Sequence, residues 1–467
     1  MAPVRLLGAI LRMALLCAAI ALIGARTARA GDAPPACAWP IEVDGAGPSN
    51  LAYPDPSATY WATPFDPGAW TKMIIRGRFP NARLIALAAF DARGAQTASL
   101  LDLHIAPDAG SLNPYRPESA ARSPAARNYT VTAGRERDRS PNYLGVAKSG
   151  LAWIVYRVYV PNHGMDRKGG APLPSITLVA ADGRARTVAP CRPQRFPDAI
   201  AQVGRQLRAA GDSGAAAADY LAASVAIGPA IGVATNAPGA SGSIATADSG
   251  RCAATPPAFH ALAFIGGLFP NDAVKALVAG GICPARDRIV VVRGKAPGFP
   301  DTHPGGPISK PAPRAGPIAM RYWSLCDNLE AAPAPVAACR ADWETRIDSS
   351  GFYTYVLAPA YARPGWLAGD ASFLPWNAAP QPNLLILRNL LPANSFSQSV
   401  QVVQHRGCAV GGGAPGKAVT AKELAKAAAC AEKVMGPYYP RAVYCDRNLY
   451  VQKGWQGCFA AAGVPPS

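Results

Sequence analysis

The densest run of polar side chains in the chain is DLHIAPDAGSLNPY, residues 102–115, which holds Asp102, His104, Asp108, Ser111 and Asn113. A carboxylate two residues from an imidazole has the parts of an acid–base pair. Closely spaced oxygen donors have the parts of a calcium site. Arg76 lies on an apolar run, as do Arg157, Arg293 and Arg388. A guanidinium in such a place can clamp an anion through two N–H donors, or pair with the aspartates as a structural ion pair. The catalytic candidates are therefore His104, Asp102, Asp108 and Arg76. The spacing fits neither an EF-hand nor a glycine-rich calcium nonapeptide. Asp, Ser and Asn in a turn-rich connection also satisfy loop backbone, and this structural reading is the favoured one.

Other chemistries find less support. The five histidines, His104, His163, His260, His303 and His405, show no H-x-x-x-H or other ligand spacing, so no metal site is expected. His163 in PNHGMDRKGG and His303 in FPDTHPGG look like loop residues. GASGS (239–243) is out of register for a nucleophile elbow. The glycine-rich run 407–417 ends in Lys417-Ala418, without the Ser or Thr of a phosphate loop. No cofactor is implied. Tyr53, Tyr60, Trp61 and Trp70 precede the first recognisable strand; they can stack on a flat ligand, but packing across a sandwich is the favoured role.

Only 16% of the 467 residues are charged and half are apolar, which suits two or three domains with real cores rather than disorder. Pro (47) and Gly (45) are abundant, which favours turns and short strands. Residues 1–30 read as a secretory signal peptide: Arg5 and Arg12, an apolar stretch from Met13 to Ala25, and Ala28-Arg29-Ala30 at the cleavage site. The apolar stretch is shorter than the ~20 residues a spanning helix needs, and no transmembrane segment is expected after cleavage. Removal of residues 1–30 takes away four arginines and no acids, so the net charge falls from +17 to +13. The cations are scattered singly. Specific nucleic-acid binding is not expected, although loose attraction to anionic lipid or polysaccharide is compatible with this charge.

Ten cysteines remain after cleavage: Cys37, Cys191, Cys252, Cys283, Cys326, Cys339, Cys408, Cys430, Cys445 and Cys458. An even number in an exported chain reads as disulfides, and no C-x-x-C suggests metal or redox chemistry. Connectivity is not fixed by sequence, but position suggests Cys37 with Cys191, Cys252 with Cys283 and Cys326 with Cys339, leaving four to staple the C-terminal tail.

The chain also resembles itself. IIRGRFP (74–80) returns as VVRGKAP (291–297), Tyr53-Pro54-Asp55 as Phe269-Pro270-Asn271, and YTVT (129–132) as YTYV (353–356). Asp102 and Asp108 return as Asp342 and Asp348, Tyr143-Leu144 as Phe373-Leu374, and WIVYRVYVP (153–161) as LLILRNLLP (384–392). The order is kept while the offset drifts, as loops of unequal length would make it. Glu344 stands where the repeat would place His104, so the aspartates suit a shared structural role better than shared catalysis. The runs KMIIRGRF, ARLIALAAF, RNYTVTAG, GLAWIVYRVYV and SITLVAA, and their counterparts RIVVVRG, AMRYWSLCDN, GFYTYVLA and PNLLILRNLL, have the strand signature.

The expected fold is mainly β with accessory helices: two tandem β-sandwich or jelly-roll-like units from an internal duplication. The units span 37–192 and 252–405, joined by a helical and Gly/Ala/Ser-rich connection (193–251) and followed by a Cys-rich helical tail (406–467). Helix is expected over 197–210 and further into 212–231, and a short one over 272–279. The strongest helix is Thr420 to Met435, with a capping box from Thr420 and Glu423 and a stop at Gly436-Pro437.

RYWSLC (321–326), GFYTYV (351–356), FLPW (373–376) and LRNLLP (387–392), with YPDPSATYW (53–61), GRFPNAR (77–83), PDAGSLNPY (107–115) and YRVYVP (156–161), resemble a family of exported, uncharacterised bacterial proteins. The chain is more distantly similar to the C-terminal β-rich half of a bacterial domain-of-unknown-function family. The resemblance implies fold and export but no mechanism. The expectation is a secreted or periplasmic, disulfide-stabilised protein that binds a small molecule or an envelope component. Whether it is also an enzyme is left open; the alternative is a cofactor-independent hydrolase or lyase with its site at the inter-unit cleft.

Overall fold

The computed structural model describes residues 35–191 and 256–465, with breaks at 48–49, 51–52, 93, 117–125, 138, 149, 263–268, 283–286, 331–333, 360–364, 368, 377–381 and 412–418. The expected signal peptide, the helices expected in 197–231, Cys252, Cys283 and part of the glycine-rich run lie outside the described residues.

In the first unit, ten strands follow one another: β1 (Ile41–Asp44), β2 (Ala58–Phe65), β3 (Lys72–Arg78), β4 (Ala82–Phe90), β5 (Gln96–Leu101), β6 (Asn128–Gly134), β7 (Tyr143–Gly145), β8 (Ala152–Pro161), β9 (Ser175–Val179) and β10 (Ala185–Val188). The second has β11 (His260–Ala261), β12 (Val274–Ile282), β13 (Arg288–Lys295), β14 (Met320–Leu329), β15 (Val336–Ala341), β16 (Phe352–Pro359), β17 (Ser372–Trp376) and β18 (Asn383–Pro392). Helices α1 (Val400–His405) and α2 (Ala421–Met435), strand β19 (Arg441–Asp446) and helix α3 (Arg447–Ala461) complete the chain.

The strands form four sheets, two per unit, and their orders repeat: β1-β2-β8-β4-β5 matches β11-β12-β18-β14-β15, and β9-β3-β6-β7 matches β19-β13-β16-β17. Even the parallel pairs recur, β6 with β7 and β16 with β17. The duplication read from short motifs is thus a duplication of topology. β19 holds the place of β9, so the tail, expected as helical, also contributes a strand to the second sandwich. The helix expected over 272–279 is instead strand β12, paired along its length with β18. Tyr60 and Trp61, read as preceding the first strand, lie within β2. The capping box of α2 forms as the sequence indicates: the Thr420 hydroxyl accepts from the Glu423 N–H, and the Glu423 carboxylate from the Thr420 N–H.

Each unit closes a core between its two sheets. The first core contains Trp61, Trp70, Tyr129 and Tyr156; the second contains Trp323, Tyr353, Tyr355 and Trp376. Residues of β2, β4, β8, β14 and β18 whose side chains point the other way, among them Leu84, Tyr159, Tyr322 and Leu390, form a further core between the units. The two inner sheets are therefore covered on both faces. This is why β4 and β8 are buried almost throughout and read as unbroken apolar runs rather than alternating ones.

Among the described residues four disulfides close this framework: Cys37–Cys191, Cys326–Cys339, Cys408–Cys430 and Cys445–Cys458. The first two are the pairs suggested by position, and the other two do staple the tail.

The repeated Arg-Gly of IIRGRFP and VVRGKAP has a packing cause. Gly77 pairs with Tyr129 and Gly294 with Tyr353 across the sheet, and the tyrosine ring lies over the glycine. A Cβ at Gly77 would stand 2.4 Å from the Tyr129 ring, and one at Gly294 2.6 Å from the Tyr353 hydroxyl. We expect Gly294→Ala to lower stability by about 1–3 kcal/mol through overpacking. In urea denaturation the loss should shrink when Tyr353→Leu is added; an equal loss in both backgrounds would sink this explanation.

Candidate functional site

The seam between the units is held by two crossed ion pairs. Arg83 on β4 donates to the Asp342 carboxylate of the other unit, and both side chains are wholly buried. Arg321 on β14 returns the contact, donating to Asp102 at 3.2 Å. The arrangement is the same on both sides. Asp102 and Asp342 each open a short 3-10 helix. Asp102 also accepts from the N–H groups of Leu103 (2.6 Å) and Ile85 (3.3 Å), and Asp342 from those of Trp343 (2.7 Å) and Trp323 (3.2 Å).

A second crossed set lies alongside. Arg157 Nη2 donates to the Phe269 carbonyl at 2.7 Å, and Arg388 Nη2 to the Tyr53 carbonyl at 2.8 Å. Phe269 and Tyr53 both have positive φ, +55° and +57°, and turn their carbonyls toward the other unit's arginine. The Asp55 carboxylate accepts from the hydroxyls of Tyr322 and Ser324 at 2.9 and 2.8 Å, while Asn271 donates to Tyr159 at 3.1 Å. Asp55 also lies near the sulfurs of Cys326 and Cys339, but those sulfurs are bonded to each other.

The four catalytic candidates do not converge. Asp102 is buried in the seam, His104 and Arg76 are exposed, and Asp108 is half-buried and accepts from the Thr130 hydroxyl at 3.1 Å. Of the four arginines read as ion-pair candidates, Arg293 pairs with Asp348 at 2.8 Å, whereas Arg157 and Arg388 serve carbonyls. The arginines that hold Asp102 and Asp342 are Arg321 and Arg83. The sequence signal for them was present, since each is the second residue of its strand's repeat, in Ala82-Arg83-Leu84 and Met320-Arg321-Tyr322. Tyr60, Trp61 and Trp70 pack as the structural reading expected, Trp61 and Trp70 in the first core and Tyr60 against Tyr159 and Arg157.

A cavity of about 890 Å3 opens beside this seam, within the second unit. Its walls include Phe299, His303, Asp342, Trp343, Arg346 and Asp370. His303 comes from the long connection between β13 and β14, which crosses to the first unit: Thr302 accepts from Arg83 Nε at 2.8 Å, and the His303 carbonyl from the His163 N–H at 2.7 Å. The His303 imidazole stacks on the Trp343 indole, centroids 3.6 Å apart and planes 15° from parallel. Partial burial lowers the His303 pKa against the raising effect of the Pro161 backbone, with smaller lowering contributions from His163 and Arg83.

Burial pushes the Asp342 carboxyl up from 3.8 to about 6, against the lowering effect of Arg83 and the two N–H donors. An acid whose pKa is higher folded than unfolded binds more protons in the native state between the two values. Its contribution to stability therefore falls as pH rises from about 4 to about 6, and is level above that. Urea midpoints of wild type and Asp342→Asn at pH 4.5 and pH 7 should show a smaller pH difference in the variant, or a shift toward greater stability at pH 7. An unchanged pH difference would exclude Asp342 as a contributor.

No family model matches the chain, and no curated protein matches it. Among solved structures, it is similar to an uncharacterised protein from Burkholderia cenocepacia, with 13% identity and a TM-score of 0.43 over 76% of this chain and 79% of that one. It is also similar to a protein from Vibrio parahaemolyticus, with 12% identity and a TM-score of 0.34 over 74% of this chain and 88% of the other. Both neighbours are uncharacterised bacterial proteins.

Proposed function

We propose that this chain is an exported, disulfide-stabilised binding protein whose ligand occupies the cavity beside Trp343. The observation that carries this reading is the Trp343 indole, 39% exposed at a cavity wall and stacked on His303. A volume of about 890 Å3 falls in the range of small-molecule sites, ~300–1,000 Å3. Four disulfides suit an oxidising compartment, in keeping with the signal-peptide character of residues 1–30. Among the described residues no helix is long and apolar enough to cross a membrane. In this reading the first unit spans 37–192 and the second 252–405, the latter completed by β19 from the tail.

A hydrolase or lyase working at the inter-unit seam has less support. Asp102 and Asp342 each already accept from a guanidinium and two backbone N–H groups, which commits their carboxylates to the seam. His104, the imidazole of that alternative, is exposed.

Native mass spectrometry on protein recovered from its host's exported fraction tests the proposal. The expected mass is that of residues 31–467 less ten hydrogens, eight for the four disulfides above and two for the Cys252–Cys283 pair expected from position, plus a ligand released on denaturation. Trp343→Ala should arrive without the ligand, or with affinity lowered at least about tenfold, which is ~1.4 kcal/mol. A chain retaining residues 1–30 would contradict export, and a ligand held equally by Trp343→Ala would contradict the cavity.

A further inference from the structure

We propose that the ligand of this cavity is a carbohydrate, with a pyranose face laid on Trp343. This inference rests on the cavity reading above and specifies its chemistry. Its starting point is where the second unit departs from the first. Trp343 takes the place that Leu103 has in the first unit: each follows the aspartate of the crossed ion pair, and each donates its N–H to that aspartate. The fold is thus satisfied by a half-buried leucine at this position, and an indole left open to water is not needed for packing. Among the described residues Trp343 is the only aromatic side chain this exposed.

The second departure is the β13–β14 connection. In the first unit, β3 and β4 are joined by Phe79, Pro80 and Asn81 alone; in the second unit, residues 296–319 intervene. This insertion supplies His303, which covers part of the indole at 3.6 Å and holds it in one orientation. The two departures therefore build a single feature, a fixed aromatic platform at a cavity wall.

The charge around the platform argues for hydroxyls rather than a formally charged group. Asp301 is paired with Lys310 at 3.0 Å, Asp348 with Arg293 at 2.8 Å, and Asp342 with Arg83. Partial burial disfavours the charged form of His303. Among the described residues the remaining charges of the wall are one carboxylate, Asp370, and two guanidiniums, Arg314 and Arg346, of which Arg346 donates to the Gly369 carbonyl. Such a wall offers planar donors and acceptors in near balance. Vicinal hydroxyls meet carboxylates and guanidiniums in bidentate fashion, while the weakly positive C–H face of a sugar ring meets the negative face of the indole.

Binding of the purified exported protein to an array of neutral oligosaccharides tests this assignment, with folding of each variant checked by circular dichroism. Wild type should retain at least one glycan class; Trp343→Ala should weaken it at least about tenfold, Trp343→Phe less, and Met165→Ala, an exposed side chain outside the cavity, not at all. A folded wild type that retains no glycan overturns the carbohydrate assignment, as does glycan binding untouched by Trp343→Ala. Native mass spectrometry separates the two levels. A non-carbohydrate ligand lost in Trp343→Ala would refute the sugar and keep the cavity, whereas a ligand indifferent to Trp343 would refute both.

Discussion

A guanidinium buried without polar partners is among the costliest defects a protein can carry, and this chain buries Arg83 completely, with Asp342 and Thr302 as its partners. Its partner, Asp342, lies in the other unit, and the second pair, Arg321 with Asp102, runs in the opposite direction. Neither sandwich satisfies its own seam aspartate through these arginines; each needs the other in register. The inner sheets follow from the same constraint. They are apolar on both faces because one faces the unit's own core and the other faces the partner unit around the ion pairs. Such pairs fix which surfaces meet, and how, more surely than they add stability.

The repeat has therefore been kept where the seam needs it. The aspartates, their 3-10 helices, the strand-opening arginines and the positive-φ residues Tyr53 and Phe269 recur on both sides. In their connections the halves diverge: the first unit lengthens the one after its 3-10 helix, and the second lengthens the one between β13 and β14, which itself reaches the seam through Thr302. The cavity lies against that second lengthening.

Much of this organisation was legible in the sequence. Short runs such as IIRGRFP and VVRGKAP matched because the same cross-strand tyrosine forbids a side chain at both glycines. The α2 helix was legible because its capping box is local. What escaped was set by distant partners. VKALVAGG in β12 carries no strong strand signal of its own, and pairing with β18 decides its conformation. Strand β19 lies among helices in sequence and joins its sheet by pairing with β13 (Arg288–Lys295), far earlier in the chain. Asp102 and Asp108 were singled out for their local density of polar groups, but Arg321, which gives Asp102 its role, is remote in sequence. Trp343 was hidden by the repeat itself, since only the comparison with Leu103 in three dimensions marks it as unneeded by the fold.

The claim on which the rest depends is that the two units are locked by the crossed buried pairs, and a double-mutant cycle on Arg83 and Asp342 tests it most directly. Arg83→Met and Asp342→Leu should each lower unfolding stability by about 3–5 kcal/mol, because each strands a buried charge, whereas the double variant should lose far less than their sum. Single losses of a few tenths of a kcal/mol, or losses that simply add, would show that the pair does not lock the seam.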